Sequence, residues 1–254
     1  TAELQLPDQN RSGLRSDVAV FQNGERIPSQ LEKEDSHLAM DWRKRVVFSA
    51  ELEPSSMNRF ECQVLPPTRS SSVGRGIRED FLFESEQISV LINGKTGLVD
   101  SYRVRGAEYV GKDAFAAVVI QDDADPWGMR AHSFGRPLGR FQLLCPEAGA
   151  ELSGIPGSNL ESVRIIEDGE VRTVVEAVFG YAGSSLCQRY FLPKRRTELR
   201  VELTVYWNER EKMLKWVLPC PWSAPRCIRQ VAFGAEELPG DGDEGVFQKW
   251  AALV

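Results

Sequence analysis

Residues 201–250 read VELTVYWNEREKMLKWVLPCPWSAPRCIRQVAFGAEELPGDGDEGVFQKW. Val201, Leu203 and Val205 alternate with Glu202, Thr204 and Tyr206, the period of two expected of a strand with one buried face. A turn at Asn208-Glu209 reverses the chain. The alternation resumes over 212–218 and stops at Pro219-Cys220-Pro221, because proline has no N–H to give to a sheet ladder. Two long antiparallel strands are therefore expected. The remainder, 233–250, sets Glu236, Glu237, Asp241, Asp243 and Glu244 among glycines and a proline and closes on Gln248-Lys249-Trp250. That composition suits a loop facing a sugar, and equally a plain acidic hairpin.

Outward from this stretch the same period recurs over 18–21, 39–40, 46–51 and 60–65, then over 87–93, 98–105, 114–121, 139–144, 161–167, 171–181, 185–192, 199–207, 213–218 and 228–233. No window of a dozen residues carries an amphipathic helical stripe. The expected fold class is all-β, with a small Greek-key β-sandwich over 1–80 and a larger two-sheet structure over 81–254. Asn93-Gly94 and Asp168-Gly169 read as hairpin turns, since such pairs tolerate positive φ. The segment PPTRSSSVGRG, 66–76, is the expected linker or mobile loop. No repeat of fixed period is present, which argues against a propeller or solenoid.

Composition narrows the function classes. Hydrophobic residues make up 42% and charged residues 27%, which suits a globular chain. No run approaches the roughly 20 apolar residues of a membrane span. A net charge of -6 disfavours a nucleic-acid partner, which needs clustered cations. The run Lys194-Arg195-Arg196 reads as a solvated hairpin tip before a phosphate site. Five cysteines, Cys62, Cys145, Cys187, Cys220 and Cys227, form no C-x-x-C or His-containing metal spacing. They favour a reducing compartment and a cytoplasmic location, with secretion as the alternative. A Cys220–Cys227 bridge across the proline loop competes with free thiols there. Thr1 in place of an initiator Met suggests an excised piece.

Residues 121–130, QDDADPWGMR, place Asp122, Asp123 and Asp125 ahead of Trp127. A tryptophan face stacks on pyranose C–H groups while carboxylates accept hydroxyl hydrogen bonds. A turn in which Asp caps amides and Trp127 plugs the sandwich end stands beside that reading. Calcium at the three aspartates is disfavoured, because the spacing is not that of an EF-hand. Glu236 and Glu237 are adjacent on a strand and so point to opposite faces, a poor arrangement for a glycosidase dyad. Only His37 and His132 are present, too few, with no third ligand nearby, to assemble a zinc site of the His/Asp kind. Ser184-Ser185 lacks the glycine elbow of a nucleophilic serine. No residue of this chain is assigned as catalytic or as a metal ligand.

Taken together, VFQNGERIPSQLEKE, LAMDWRKRVVFSAELEP, INGKTGLVDSYRVRGAEYV, DDADPWGM, VYWNEREKMLKWVLPCPW and VAFGAEELPGDGDEGVFQKWAA resemble the downstream β-domains of bacterial glycoside hydrolase family 38 α-mannosidases. The resemblance implies a small β-sandwich followed by a mutarotase-like supersandwich that runs beyond residue 254. It also implies that the zinc-dependent retaining chemistry resides in an amino-terminal α/β barrel, which nothing in this sequence resembles. The chain itself would carry no cofactor, with zinc belonging to that barrel. Its partners would be the barrel and, through it, an α-mannoside, with oligomer contacts left open. Asp125, Trp127, Glu237, Glu244, Gln248, Lys249 and Trp250 would then face the carbohydrate. A self-sufficient sugar-binding module and a purely structural domain are the alternatives.

Overall fold

From the strand Arg172–Tyr181, Val175, Ala177 and Phe179 point into one core, whereas Val174, Glu176 and Val178 occupy the opposite face. The computed structural model describes residues 2–5, 15–32, 43–68, 74–124 and 134–254. Within them the chain is antiparallel sheet, with one helix at Pro146–Leu152. Arg172–Tyr181 pairs along its whole length with Ser184–Pro193, from Arg172 opposite Pro193 to Tyr181 opposite Ser184. Val163–Asp168 and Arg200–Tyr206 flank this pair in a six-stranded sheet. Its inner face, with Leu186, Tyr190 and Leu192, packs against Val90, Ile92 and Val99 of a four-stranded sheet and Val119 of a three-stranded one. Each such aliphatic side chain contributes about 1.5–3 kcal/mol on burial.

The core also holds a hydrogen-bonded chain. Trp216 Nε1 donates to Gln188 Oε1 at 3.1 Å, Gln188 donates to Tyr190, and the Tyr190 hydroxyl donates to the Gly97 carbonyl at 2.8 Å. Each polar atom of this chain thus has a partner, as burial requires. Tyr190→Phe leaves Gly97 and Gln188 short of one, so a loss of about 1–3 kcal/mol in urea unfolding is expected.

The outer face of the six-stranded sheet is covered as well. Gly149 of the helix lies so close that a Cβ there would sit 2.4 Å from Ser162 Oγ. The helix spans seven residues, too few to repeat a helical stripe, which is why periodicity missed it. Pro146 in its first turn was the available signal. Farther along this face, the Phe191 ring has the guanidinium carbons of Arg172 and Arg200 at 4.7 and 4.8 Å from its centroid. Arg164, Glu176 and Arg189 stand opposite one another on three neighbouring strands.

A second, smaller core gathers Val18, Val20 and Val46, with Leu4, Ile27, Leu31, Phe48 and Phe60 against it. It lies between one sheet of Arg15–Gln22, Glu25–Ile27 and Glu61–Thr68 and another of Ala2–Gln5, Arg43–Phe48 and Ser29–Leu31. Gln30 joins this sandwich to the larger one. Its Oε1 accepts from the Val171 and Arg172 amides at 2.9 and 2.8 Å, and its Nε2 donates to Glu167 at 3.4 Å. Arg26–Glu170 at 2.8 Å and Arg172–Glu32 at 3.2 Å flank it.

Several local expectations are revised. The strands Arg200–Tyr206 and Lys212–Val217 are not neighbours: the first pairs with Ser184–Pro193 and the second with Ala116–Gln121. Gly94 and Gly169 do not have positive φ. Each is required by close approach, since a Cβ on Gly94 would lie 2.3 Å from the Glu79 carbonyl and one on Gly169 2.5 Å from Gln30 Oε1. The expected linker is strand at both ends, in Glu61–Thr68 and in Arg75–Gly76, which pairs with Arg164 and Ile165. The 139–144 strand is two, Pro137–Arg140 and Gln142–Leu143. The expected strand at 39–40 lies outside the described residues.

All five cysteines, Cys220 and Cys227 included, are free. Burial, reinforced by the neighbouring Glu176, pushes the Cys187 thiol up to about 12, whereas Cys145 is exposed. Because the thiolate is the reactive form, a disulfide reagent near neutral pH is expected to take Cys145 first and spare Cys187 until the chain unfolds. Early modification of Cys187 in the native chain contradicts this placement.

Candidate functional site: the acidic edge of the carboxyl-terminal sheet

Cys227–Val231 pairs with Gly234–Leu238 on one side and Ala251–Leu253 on the other. Glu237 lies opposite Ile228 and Glu236 opposite Arg229, so the two carboxylates occupy opposite faces, as alternation requires. Glu237 accepts from Arg226 Nε and Nη2 at 3.0 and 2.7 Å. Glu236 accepts from Arg229 at 3.0 and 2.6 Å. The Arg226 hydrogen bonds hold the exposed Glu237 carboxyl below its ordinary range.

Glu244 is placed by a long-range clasp. Its Oε1 accepts from Lys215 Nζ and from the Phe134 amide, the latter at 3.2 Å, and Lys215 Nζ also reaches the Phe134 carbonyl at 2.8 Å. Phe134 is where the chain leaves the segment containing Asp125 and Trp127, and both of those residues lie outside the described ones. The acidic loop and Phe134 thus meet at Lys215. The Lys215 hydrogen bond holds Glu244 below the usual carboxylate range.

Gln248, Lys249 and Trp250 converge on Gln230. The Gln248 amide donates to the Gln230 carbonyl at 3.1 Å, the Gln230 amide to the Trp250 carbonyl at 3.0 Å, and the Lys249 amide to Gln230 Oε1 at 3.2 Å. The Trp250 side chain remains 45% exposed, so part of its ring is open to a ligand. By register, Gln230 and Glu237 share a face. Sequence reasoning missed Lys215, Arg226 and Phe134, which hold these groups. Their carboxylate partners are distant in the chain or across a turn, beyond what a periodicity can report.

Ion pairing determines what this edge can do. Carboxylates held ionised accept hydrogen bonds from hydroxyls, whereas a general acid needs a pKa raised towards the working pH. Among the described residues no group of three His, Cys, Asp or Glu could hold a metal, and His37 and His132 lie outside them. Glu209 of the Trp-Asn-Glu motif is structural: it accepts from the Gly183 amide, the Ser184 hydroxyl and Lys212 at 3.2, 3.1 and 2.6 Å.

Fold and edge together define an all-β sandwich module. Residues 84–253 match the glycosyl hydrolases family 38 C-terminal domain. The chain belongs to glycosyl hydrolase family 38, as its C-terminal part. The crystal structure of an alpha-mannosidase from Enterococcus faecalis is similar, with a TM-score of 0.53 at 10% identity over 92% of this chain. At that identity the likeness is one of fold. The present chain covers 30% of that protein. No curated protein matches the sequence. No helix of the described residues is long and apolar enough to cross a membrane.

Proposed function

We propose that this chain is the non-catalytic β region of a zinc-dependent retaining α-mannosidase, in which it scaffolds a separate catalytic barrel and lends its acidic edge to the carbohydrate cleft. Residues 1–80 and 81–254 are its two domains. The observation that carries the reading is the family match over residues 84–253. The ionised state of Glu237 and Glu244 supports a binding role over acid catalysis. Five free cysteines support a reducing, cytoplasmic setting. Asp125, Trp127, Gln248, Lys249 and Trp250 complete the proposed lining.

The test uses the polypeptide in which this region is joined to its barrel. Glu244→Gln and Lys215→Ala are each expected to raise KM for an aryl α-mannoside about three- to tenfold with kcat little changed, the signature of lost ground-state binding. Unchanged KM in both variants contradicts the cleft-lining role. A self-sufficient sugar-binding module is the second reading, favoured by the exposed ring of Trp250. It requires a saturable tryptophan-fluorescence change when the isolated chain is titrated with α-mannobiose.

A further inference from the structure

A cleft of about 940 Å³ opens where the smaller sandwich meets one end of the larger, lined by the end of the strand Glu25–Ile27 with Pro28 and by chain reversals at 84–86, 169–170 and 194–195. Binding sites favour such clustered loops and such junctions. The walls are fixed by protein contacts. Glu170 takes Arg26 at 2.8 Å and the Ser29 amide at 3.3 Å. Lys194 pairs with Asp168 at 3.2 Å and lies 5.0 Å from the Phe83 ring centroid. The Ser85 hydroxyl accepts from the Gln87 and Ile88 amides at 3.4 and 3.2 Å. Behind them, Gln30 ties the two sandwiches together.

The lining carries three cations, Arg26, Lys194 and Arg195, and three carboxylates, Glu84, Glu86 and Glu170. The charges balance, so the cleft offers no net attraction to an ion. Arg26 and Glu170 satisfy each other, and Lys194 is engaged by Asp168. Among the described residues the side chains of Arg195, Glu84 and Glu86 have no hydrogen-bond or ion-pair partner. What remains open is one guanidinium donor fork and two carboxylate acceptors.

A ligand that uses both must donate and accept at several points, which is what a row of hydroxyl groups does. Among the described residues no aromatic ring lines the cleft, so a flat heterocycle finds no stacking platform and a sugar would be held there by hydrogen bonds alone. The volume lies near the upper end of the range of about 300–1,000 Å³ for small-molecule sites, more than a single amino acid fills. We infer that this cleft binds a neutral polyhydroxylated ligand, an oligosaccharide of a few units. The inference stands apart from the acidic edge and from the proposed mannosidase role.

The experiment titrates the nitrogen-15-labelled chain with maltotriose, cellotriose and an α-linked mannotriose, reading backbone amide shifts. At least one sugar is expected to move the Ser85, Glu86, Gly169 and Glu170 amides saturably at concentrations up to about 50 mM. Arg195→Ala, and separately Glu84→Gln with Glu86→Gln, are expected to weaken that binding about three- to tenfold, with the urea midpoint unmoved. Three results overturn the inference: no saturable shift at these amides with any of the sugars, shifts confined to the surroundings of Phe134 and Glu244, or stronger shifts at the cleft with glycylglycine or inorganic phosphate. The second of these leaves the reading of the acidic edge intact, so the two ideas fail separately.

Discussion

Glu176→Ala is expected to cost about 3–5 kcal/mol of unfolding free energy, the loss typical of removing one member of a buried ion pair. Glu176 is 6% exposed. Its carboxylate accepts from Arg164 Nε and Nη2 at 3.0 and 2.6 Å and from Arg189 Nε at 2.7 Å. Without it, the buried Arg164 guanidinium keeps only the Ser153 hydroxyl and the Glu161 carbonyl, at 2.7 and 3.3 Å. Replacing both partners, Arg164→Met with Glu176→Leu, removes the stranded charge and is expected to recover most of the loss. Equal losses in the single and double variants contradict this account.

The same group gives a pH dependence of defined sign. Burial pushes the Glu176 carboxyl up, but Arg164 and Arg189 outweigh it and hold the folded pKa below the ordinary value. The contribution is therefore complete above the unfolded carboxylate pKa and fades as pH falls through the folded one. Urea midpoints of wild type and Glu176→Ala are expected to converge on acidification. A gap that widens contradicts the assignment.

The second large effect is at Gln30, 7% exposed, where Gln30→Ala strands the Val171 and Arg172 amides. Each orphaned group costs about 1–3 kcal/mol when buried, and with both amides partly buried a loss of about 2–4 kcal/mol is expected. Hydrogen exchange at those two amides is expected to accelerate more than exchange at Val175 or Ala177, because the break lies where the sandwiches meet. Gln30→Glu does not rescue, since the new carboxylate faces Glu167. A change of less than about 0.5 kcal/mol in Gln30→Ala contradicts the role of this side chain as the joint.

These residues mark where sequence reading stops. Alternation at Val201, Leu203 and Val205 identifies a strand and its buried face, because side-chain direction is fixed by the local backbone. It does not name the partner strand, so the divergence of Arg200–Tyr206 and Lys212–Val217 into different sheets was not legible. Gly94 and Gly169 sit at recognisable turns, but the neighbour that requires a glycine at 169, Gln30, is remote in sequence. At the acidic edge, the opposed faces of Glu236 and Glu237 could be read from their adjacency. The cations that neutralise the carboxylates could not: Lys215 stands 29 residues from Glu244 and Arg226 is 11 from Glu237. Glu236, Glu237 and Glu244 are each held in an ion pair.

The proposed role, in which this chain serves α-mannoside hydrolysis without performing it, is tested most directly by assaying an aryl α-mannoside with zinc present. The isolated 254-residue chain is expected to give no turnover above buffer, and the same chain joined to the proposed catalytic barrel is expected to hydrolyse the substrate. Turnover by the isolated chain, or none by the joined polypeptide, contradicts the account.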